Sequence, residues 1–331
     1  MFVDWHGSSN KSRWESSNKL KVAISFNHYF TVQSWNSALS EDLTNEIKNW
    51  DIVYCKSKID VYRHVPDADI CLLFGLGEYL MKLLKTPKLI YFPVLGLDFI
   101  KNRSIPKMIT IEQPPPFSAQ SIAEYCLAMS ILLTRNLQNS FNNRFSKKWN
   151  QSNIIPQSIV SITLCKIGVL GLGRVGKEIA RYFRSIGCEV NGCDIVKPST
   201  NDVCSAFYLS DQLYEFIDDT DILIVALPLN ESTKHMINKS ILKALGSKKY
   251  LINVSRGEII DEVALIDALS TNTIKGAALD VFETEPLSSN SGLYKCDNAI
   301  ITPHISGNMN LFVKEIQQDF ISKALLYEKN V

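Results

Sequence analysis

The run from Lys166 to Gly176, KIGVLGLGRVG, constrains this chain more than any other stretch. It sets glycines at 171, 173 and 176 in Gly-x-Gly-x-x-Gly spacing, directly after a short apolar strand pattern, Ile167 to Leu170. A helix-like stretch, Lys177 to Ser185, leads out of it. A second strand pattern, Cys188 to Cys193, then leads to Asp194, eighteen residues past Gly176. Each part has a physical reason. Gly171 permits the tight turn, Gly173 lets a pyrophosphate approach the backbone, and Gly176 lets helix pack on strand. The helix N-terminus offers free N–H groups and a partial positive charge to phosphate. Asp194 can accept hydrogen bonds from both ribose hydroxyls. Strand, turn, helix and acid together read as a dinucleotide-binding unit. The acid favours NAD(H), because an ionised carboxylate repels the 2′-phosphate of NADP(H). Ile195 and Val196 follow it where an NADP enzyme usually carries Arg, Ser or Thr, and Lys197 is the next cation along the chain.

At 331 residues the chain has length for about two domains. A net charge of +1 argues against a nucleic-acid or membrane-surface partner drawn by a basic field. No apolar run approaches the roughly 18 residues of a membrane helix. The polar N-terminus has no apolar signal core and reads as a loose extension before a first strand at Leu20 to Phe26. None of the eight cysteines forms a C-x-x-C pair, and several fall in patterns that should be buried, such as Cys71 in DICLLF. Free thiols in a reducing cytoplasm are the expectation. The five histidines are scattered and lack ligand spacing, so no metal site is expected.

Residues 20 to 100 alternate strand patterns (KVAISF, DIVYC, ADICLLF, KLIYFPV) with helix-like stretches at Ser40 to Asn49 and Tyr79 to Leu84. This is a small α/β domain. The breaker cluster Gln113-Pro-Pro-Pro-Phe117 marks a domain edge. Ser118 to Arg135 reads as a long buried helix, and Asn136 to Gln157 as a polar surface excursion. Beyond the nucleotide unit come strands at Ile222 to Pro228, Tyr250 to Gly257, Ala277 to Phe282 and Ala299 to His304. Parallel strands separated by helices imply right-handed crossovers and a doubly wound sheet, with ligands at the carboxyl ends of the strands. The expected fold is α/β in two domains: a Rossmann sheet over 119–304, and a smaller flavodoxin-like substrate domain over 1–118 completed by the helix-like tail, 305–331.

Arg256, Glu285 and His304 stand at the ends of apolar strand patterns, in NVSRG, DVFETEP and TPHISG. Hydride transfer to a carbonyl also requires a proton, and an acidic substrate requires a counter-charge for its carboxylate. Arginine offers a planar fork for a carboxylate and can polarise the keto oxygen. Histidine can give that oxygen a proton and recover it in the reverse direction. A carboxylate on the other ring nitrogen fixes the tautomer and raises the histidine pKa, and Glu285 is the candidate. Singly, each has a plainer role: Arg a dipole partner, Glu before Pro a solvated turn, His after Pro a cap. Their order behind a Rossmann pattern favours the catalytic reading.

Together with ALPLNESTKHMIN (Ala226 to Asn238), INVSRGEIIDEVALIDAL (Ile252 to Leu269) and SIAEYCLAMSILLTRN (Ser121 to Asn136), these strings resemble the D-2-hydroxyacid dehydrogenases over about Ala68 to Gly307. The resemblance implies an NAD-dependent enzyme acting on a small 2-oxo acid/D-2-hydroxy acid pair, working as a homodimer and closing two domains over its cleft. It implies that Arg174 and Val175 meet the pyrophosphate through their backbone. Leu227, Pro228 and Thr233 would cover the adenosine side, and Val254 and Ser255 would lie under the nicotinamide ribose. Asp280 would bond the carboxamide, with Ser306 and Gly307 beside His304 on the cofactor. The segment Val94 to Asp98, with Leu95 and Gly96, corresponds to a loop that presents N–H groups to the substrate carboxylate; Gly96 and Asp98 fit it, and Val94 and Leu95 make it stiffer and more apolar than in many members. Tyr91, Phe92 and Trp149 are candidates for a pocket or for the core. Two other outcomes stay open on this scaffold: an NAD(H)-sensing corepressor-like interaction protein, and a formate- or phosphite-type dehydrogenase.

Overall fold

The computed structural model describes residues 19–26, 31–84, 88–97, 100, 105–143, 149, 160–198, 203–307 and 312–329. Asp98, the polar stretch before residue 19 and most of the excursion after residue 143 lie outside the described residues. The chain divides into two compact units, Met1–Phe117 with Met309–Val331, and Ser118–Asn308.

The first unit runs β1 (Lys21–Ser25), α1 (Val32–Ala38), α2 (Glu41–Ile47), β2 (Asp51–Cys55), α3 (Lys58–His64), β3 (Ile70–Leu72), α4 (Glu78–Leu83), β4 (Lys88–Tyr91) and β5 (Ile109–Glu112). Its strands form a parallel sheet in the order β2-β1-β3-β4-β5. That is the flavodoxin-like order. The C-terminal helix, Val313–Glu328, packs on this sheet with Val313, Ile316, Phe320 and Ile321 buried. Phe320 makes edge contacts with Trp35, Trp50 and Tyr91 at 5.9, 6.5 and 5.4 Å. Tyr91 and Phe92 are therefore core residues, each fully buried, whereas Trp149 is 91% exposed.

Helices α1 and α3 and strand β5 carry no strong periodic signal in the sequence. Each helix spans seven residues and is nucleated by a capping box instead, Thr31 with Ser34 and Ser57 with Asp60. The four-residue β5 is squeezed between Pro106 and the Pro114–Pro116 run.

The second unit runs α5 (Phe117–Thr134), α6 (Leu137–Asn143), β6 (Lys166–Leu170), α7 (Arg174–Ser185), β7 (Glu189–Asp194), β8 (Ala206–Leu209), α8 (Leu213–Asp218), β9 (Ile222–Val225), α9 (Lys239–Leu245), β10 (Tyr250–Asn253), α10 (Glu262–Ser270), β11 (Gly276–Leu279) and β12 (Ala299–Ile301). Its parallel sheet has the order β12-β11-β10-β9-β6-β7-β8. This is the doubly wound Rossmann arrangement, which reverses direction between β6 and β9. Strands β9, β10 and β11 are buried at every residue, as a sheet covered on both faces requires.

One expectation is corrected here. Helix α5 is long and apolar enough, by length and composition, to cross a membrane, with mean hydropathy 1.2 over its 18 residues. Scattered Ser, Gln, Glu and Thr break any continuous apolar run, so the mean reveals what the run length conceals. Its Ala119, Ile122, Ala123, Cys126, Met129 and Leu133 are buried. The helix also takes its own polar groups inward: Ser130 and Thr134 donate to the carbonyls of Cys126 and Ser130, at 2.7 and 2.8 Å.

Candidate functional site

The loop between β6 and α7 has the geometry of a phosphate cradle. Gly171 sits at φ +96°, where a side chain is strained, and an added Cβ would lie 2.7 Å from the Ala226 carbonyl oxygen. Gly176 packs so closely on the Gly171 carbonyl that no Cβ fits between helix and turn. Gly173, the residue preceding α7, faces open space, and no side chain caps that helix. The first N–H groups of a helix lack intrahelical partners, and Gly173 and Arg174 at this helix start are exposed. These features fit a dinucleotide pyrophosphate.

Asp194 ends β7 on the neighbouring strand. Its Oδ2 accepts the Leu172 N–H at 2.6 Å and its Oδ1 accepts the Ile195 N–H at 2.6 Å. These bonds fix the carboxylate at the edge of the glycine turn, and each oxygen keeps a further lone pair. Past the end of β9, Thr233 closes the turn that carries Leu227 and Pro228. Its hydroxyl donates to the Pro228 carbonyl at 2.7 Å and accepts from the Asn230 N–H at 2.8 Å.

Arg256, Glu285 and His304 are set by the ends of β10, β11 and β12, three adjacent strands. His304 Nδ1 lies 2.7 Å from Glu285 Oε2. The other carboxylate oxygen of Glu285 accepts the Phe282 N–H at 3.1 Å, which orients the carboxylate. The bond from Glu285 is the main reason the imidazole pKa is raised above its ordinary value. Burial and the Arg256 charge oppose this, and the charges of Glu285 and Asp280 reinforce it. Burial pushes the Glu285 carboxyl up, but the His304 bond and charge, the Phe282 N–H and the Arg256 charge outweigh it and hold it low. Roughly half of the imidazole surface stays open, at 48% exposure. Glu285, His304 and Arg256 thus act on one another electrostatically around a half-exposed imidazole.

Two features of this group escape a reading based on charged motifs. Asn253, fully buried, closes the turn before Arg256: its Nδ2 donates to the Arg256 carbonyl at 3.0 Å, and its Oδ1 accepts from the Ser255 N–H and hydroxyl at 3.1 and 2.9 Å. Val254 and Ser255 are buried by the same turn, and Arg256 Nη1 donates to the Ser255 carbonyl at 2.7 Å. Gly257 then lies against the backbone of Phe282 and Glu283, leaving no room for a Cβ. This close approach draws the Arg256 turn toward the segment bearing Glu285.

Asp280 is fully buried, and three donors occupy it. Its Oδ1 accepts from the Thr302 hydroxyl at 2.6 Å and the Ile305 N–H at 2.9 Å, and its Oδ2 accepts from the Ser306 N–H at 2.8 Å. In the structure this acid ties down the loop around His304, a role distinct from the carboxamide contact implied by resemblance. Ser306 is buried in that clasp, and Gly307 packs beside Ile122.

In the first unit, the Val94–Leu97 loop follows β4. Gln113 Nε2 donates to the carbonyls of Val94 and Leu95, at 2.7 and 3.1 Å, and so holds the segment containing Leu95 and Gly96. A separate cavity of about 260 Å³ lies at the amino ends of β10 to β12, lined by Leu133, Tyr250, Lys275 and Asn298, and contains none of the candidate residues. Among the described residues no group of three or more His, Cys, Asp or Glu side chains could hold a metal.

The family model for the D-isomer specific 2-hydroxyacid dehydrogenase NAD binding domain matches residues 127–306. Glyoxylate/hydroxypyruvate reductase A of Arabidopsis thaliana is 32% identical over 70% of this chain and 75% of its own. Hydroxypyruvate reductase of Thermotoga maritima is 26% identical over 82% of this chain and 90% of its own. Among solved structures, an NADPH-dependent glyoxylate/hydroxypyruvate reductase of Sinorhizobium meliloti, in complex with NADP and sulfate, superposes with a TM-score of 0.79. It shares 19% identity and covers 95% of this chain and 96% of its own. With a glycine cradle, an Arg–Glu–His group on adjacent strand ends and a family match across more than half its length, this chain belongs to the D-isomer specific 2-hydroxyacid dehydrogenases, NAD(P)-binding oxidoreductases of the Rossmann fold.

Proposed function

We propose that the protein is an NAD(H)-dependent dehydrogenase that interconverts a small D-2-hydroxy acid and its 2-oxo acid. The observation that carries this reading is the 2.7 Å bond between His304 Nδ1 and Glu285 Oε2, formed beside Arg256 at the carboxyl edge of the Rossmann sheet. When bound, the dinucleotide supplies hydride chemistry. The residues that would hold it are the Gly171–Gly176 turn at its pyrophosphate, Asp194 at its ribose, and the Leu227–Thr233 and Val254–Ser255 turns along its length.

The chain's own contribution is charge and a proton. Nδ1–H of His304 donates to Glu285, which leaves Nε2 to carry the exchangeable proton. In reduction, protonated His304 gives that proton to the nascent alkoxide oxygen. In oxidation, neutral His304 takes it from the hydroxyl. Glu285 keeps its negative charge in both directions and stabilises the imidazolium. Arg256 grips the carboxylate of the acid with its planar fork and polarises the neighbouring keto oxygen. In the first unit, Leu95 and Gly96 are proposed to offer backbone N–H groups to a substrate carboxylate.

Asp194 supports the preference for NAD(H), since its fixed carboxylate accepts ribose hydroxyls and repels a 2′-phosphate. Steady-state reduction of a panel of 2-oxo acids, followed by reduced-cofactor absorbance with NADH and NADPH in parallel, tests the whole reading. The expected result is turnover of at least one small 2-oxo acid, with NADH favoured by at least about tenfold in kcat/KM, or about 1.4 kcal/mol. Asp194→Ala narrows that gap. Equal or better use of NADPH by the unmodified enzyme contradicts the assignment of Asp194, and no turnover across the panel contradicts the enzyme reading.

A further inference from the structure

Two of the hydroxyl groups on helix α5, those of Ser121 and Tyr125, stand four residues apart and so on one face. Both reach the loop that bears His304. Ser121 Oγ donates to the Ser306 carbonyl at 3.0 Å, and the Tyr125 hydroxyl lies 2.7 Å from Thr302 Oγ1. Counting protons gives the second bond a direction. Thr302 Oγ1 donates its one proton to Asp280 Oδ1, a carboxylate oxygen that only accepts. Thr302 must then accept from Tyr125. Burial raises the phenol pKa, so Tyr125 keeps the proton it donates. The chain of bonds runs from Tyr125 to Thr302 to Asp280, and Asp280 also receives the N–H groups of Ile305 and Ser306.

His304 sits inside this clasp at φ +55°, in the left-handed region that residues with a Cβ enter at a cost. A residue in that conformation is kept there by what binds its neighbours. Thr302 is bound before it, and Ile305 and Ser306 are bound after it. The charged groups acting on the imidazole are Glu285, Asp280 and Arg256.

We propose that Tyr125 is a positioning residue for the proton-transfer step: acting through Thr302 and Asp280, it holds the His304 loop so that the imidazole stays aligned on Glu285. This rests on the reading of His304 as the acid–base group. The hydroxyl chain holds ring orientation, and misalignment of a catalytic group is expensive in rate.

Tyr125→Phe removes one hydroxyl and keeps the ring. It is expected to lower kcat for 2-oxo acid reduction by roughly tenfold with the Kd for NADH unchanged. It is also expected to move the pH at which reduction fails downward, toward that of an ordinary imidazole, because a looser loop weakens the bond to Glu285. A variant that merely folded less well would lower the active fraction and leave the pH profile in place. Thr302→Val should reproduce both effects, and Thr302→Ser, which keeps the hydroxyl, should restore the profile. The double variant Tyr125→Phe/Thr302→Val should be no worse than Thr302→Val alone, since both act through one chain. Wild-type kcat and pH profile in Tyr125→Phe, or multiplying losses in the double variant, would overturn the proposal. His304→Gln serves as the reference. If it keeps full turnover, the acid–base reading fails and takes this inference with it. If it loses turnover while Tyr125→Phe is unaffected, only the positioning role fails.

Discussion

At the scale of single residues, the chemistry depends on what each polar group is already bonded to. His304 has Nδ1 committed to Glu285 at 2.7 Å, so its tautomer is set before any substrate arrives. Arg256 has its carbonyl fixed by Asn253, and its Nη1 shares a bond with the Ser255 carbonyl. Its guanidinium is therefore aimed by a short rigid turn. Arg256→Lys keeps the positive charge and loses the fork. The expected outcome is normal NADH binding with kcat/KM for the best 2-oxo acid lowered by about 100-fold, near 2.7 kcal/mol. Unchanged kcat/KM would show that Arg256 does not hold the carboxylate. Arg256, Glu285 and His304 were legible in the sequence because charged residues ending apolar runs stand out. Asn253 and Tyr125 were not, because a buried amide or phenol inside an apolar run looks like core. Asp280 was legible as a site residue, but its bonds to Thr302, Ile305 and Ser306 depend on residues more than twenty positions away.

At the scale of elements, the short pieces of the first unit are held by caps and by one unusual cation. Lys88 opens β4 yet is fully buried. Its Nζ donates to the carbonyls of Val65, Pro66 and Ala68 at 3.2, 3.1 and 2.6 Å. These carbonyls belong to the 3-10 turn Val65–Asp67 and the residue after it, directly beyond α3, where unpaired C=O groups accumulate and a cation is favoured. Burial lowers the Lys88 pKa, and nearby Cys71, Asp69 and Asp67 oppose that shift. Lys88→Met fills the space and removes the one donor that the three carbonyls share. A loss of about 2–3 kcal/mol in urea unfolding is expected; an unchanged midpoint would mean that the turn finds other partners. Pattern reading registers Lys88 as the polar start of a strand, because a lysine bonded to three backbone carbonyls leaves no periodic trace. The same limit hid α1 and α3, whose stability comes from the caps at Thr31 and Ser57. The fully buried strands β9, β10 and β11 were legible, because continuous burial leaves a continuous apolar run.

At the scale of the whole molecule, one sheet edge sorts the candidate residues into a row. Reading along the second unit, the strand ends supply His304 from β12, Asp280 and Glu285 beyond β11, Arg256 beyond β10, the Leu227 turn beyond β9, the glycine cradle beyond β6 and Asp194 from β7. Six strands at the usual spacing of about 4.8 Å spread this row over roughly 24 Å. The residue proposed for proton transfer thereby stands at one end and the acid proposed for ribose recognition at the other. Sequence order alone scrambles this row, since β6 comes first in the sheet's chain order yet lies beside β9, with β7 on its other side. The order follows from right-handed crossovers on both faces of a doubly wound sheet. The central claim is that His304 is the group that gives and takes the proton. Its raised pKa has a definite sign: the imidazolium needed for reduction persists to higher pH than in an ordinary histidine, and the neutral ring needed for oxidation appears only above that pH. The deciding measurement is kcat/KM for 2-oxo acid reduction and hydroxy acid oxidation against pH, in the unmodified enzyme and in His304→Gln. The account predicts reduction that falls and oxidation that rises through one transition above pH 6.5, together with a loss of about 100-fold or more in His304→Gln while NADH binding is retained. Near-normal turnover by a folded His304→Gln enzyme, with the same pH transition, would contradict it.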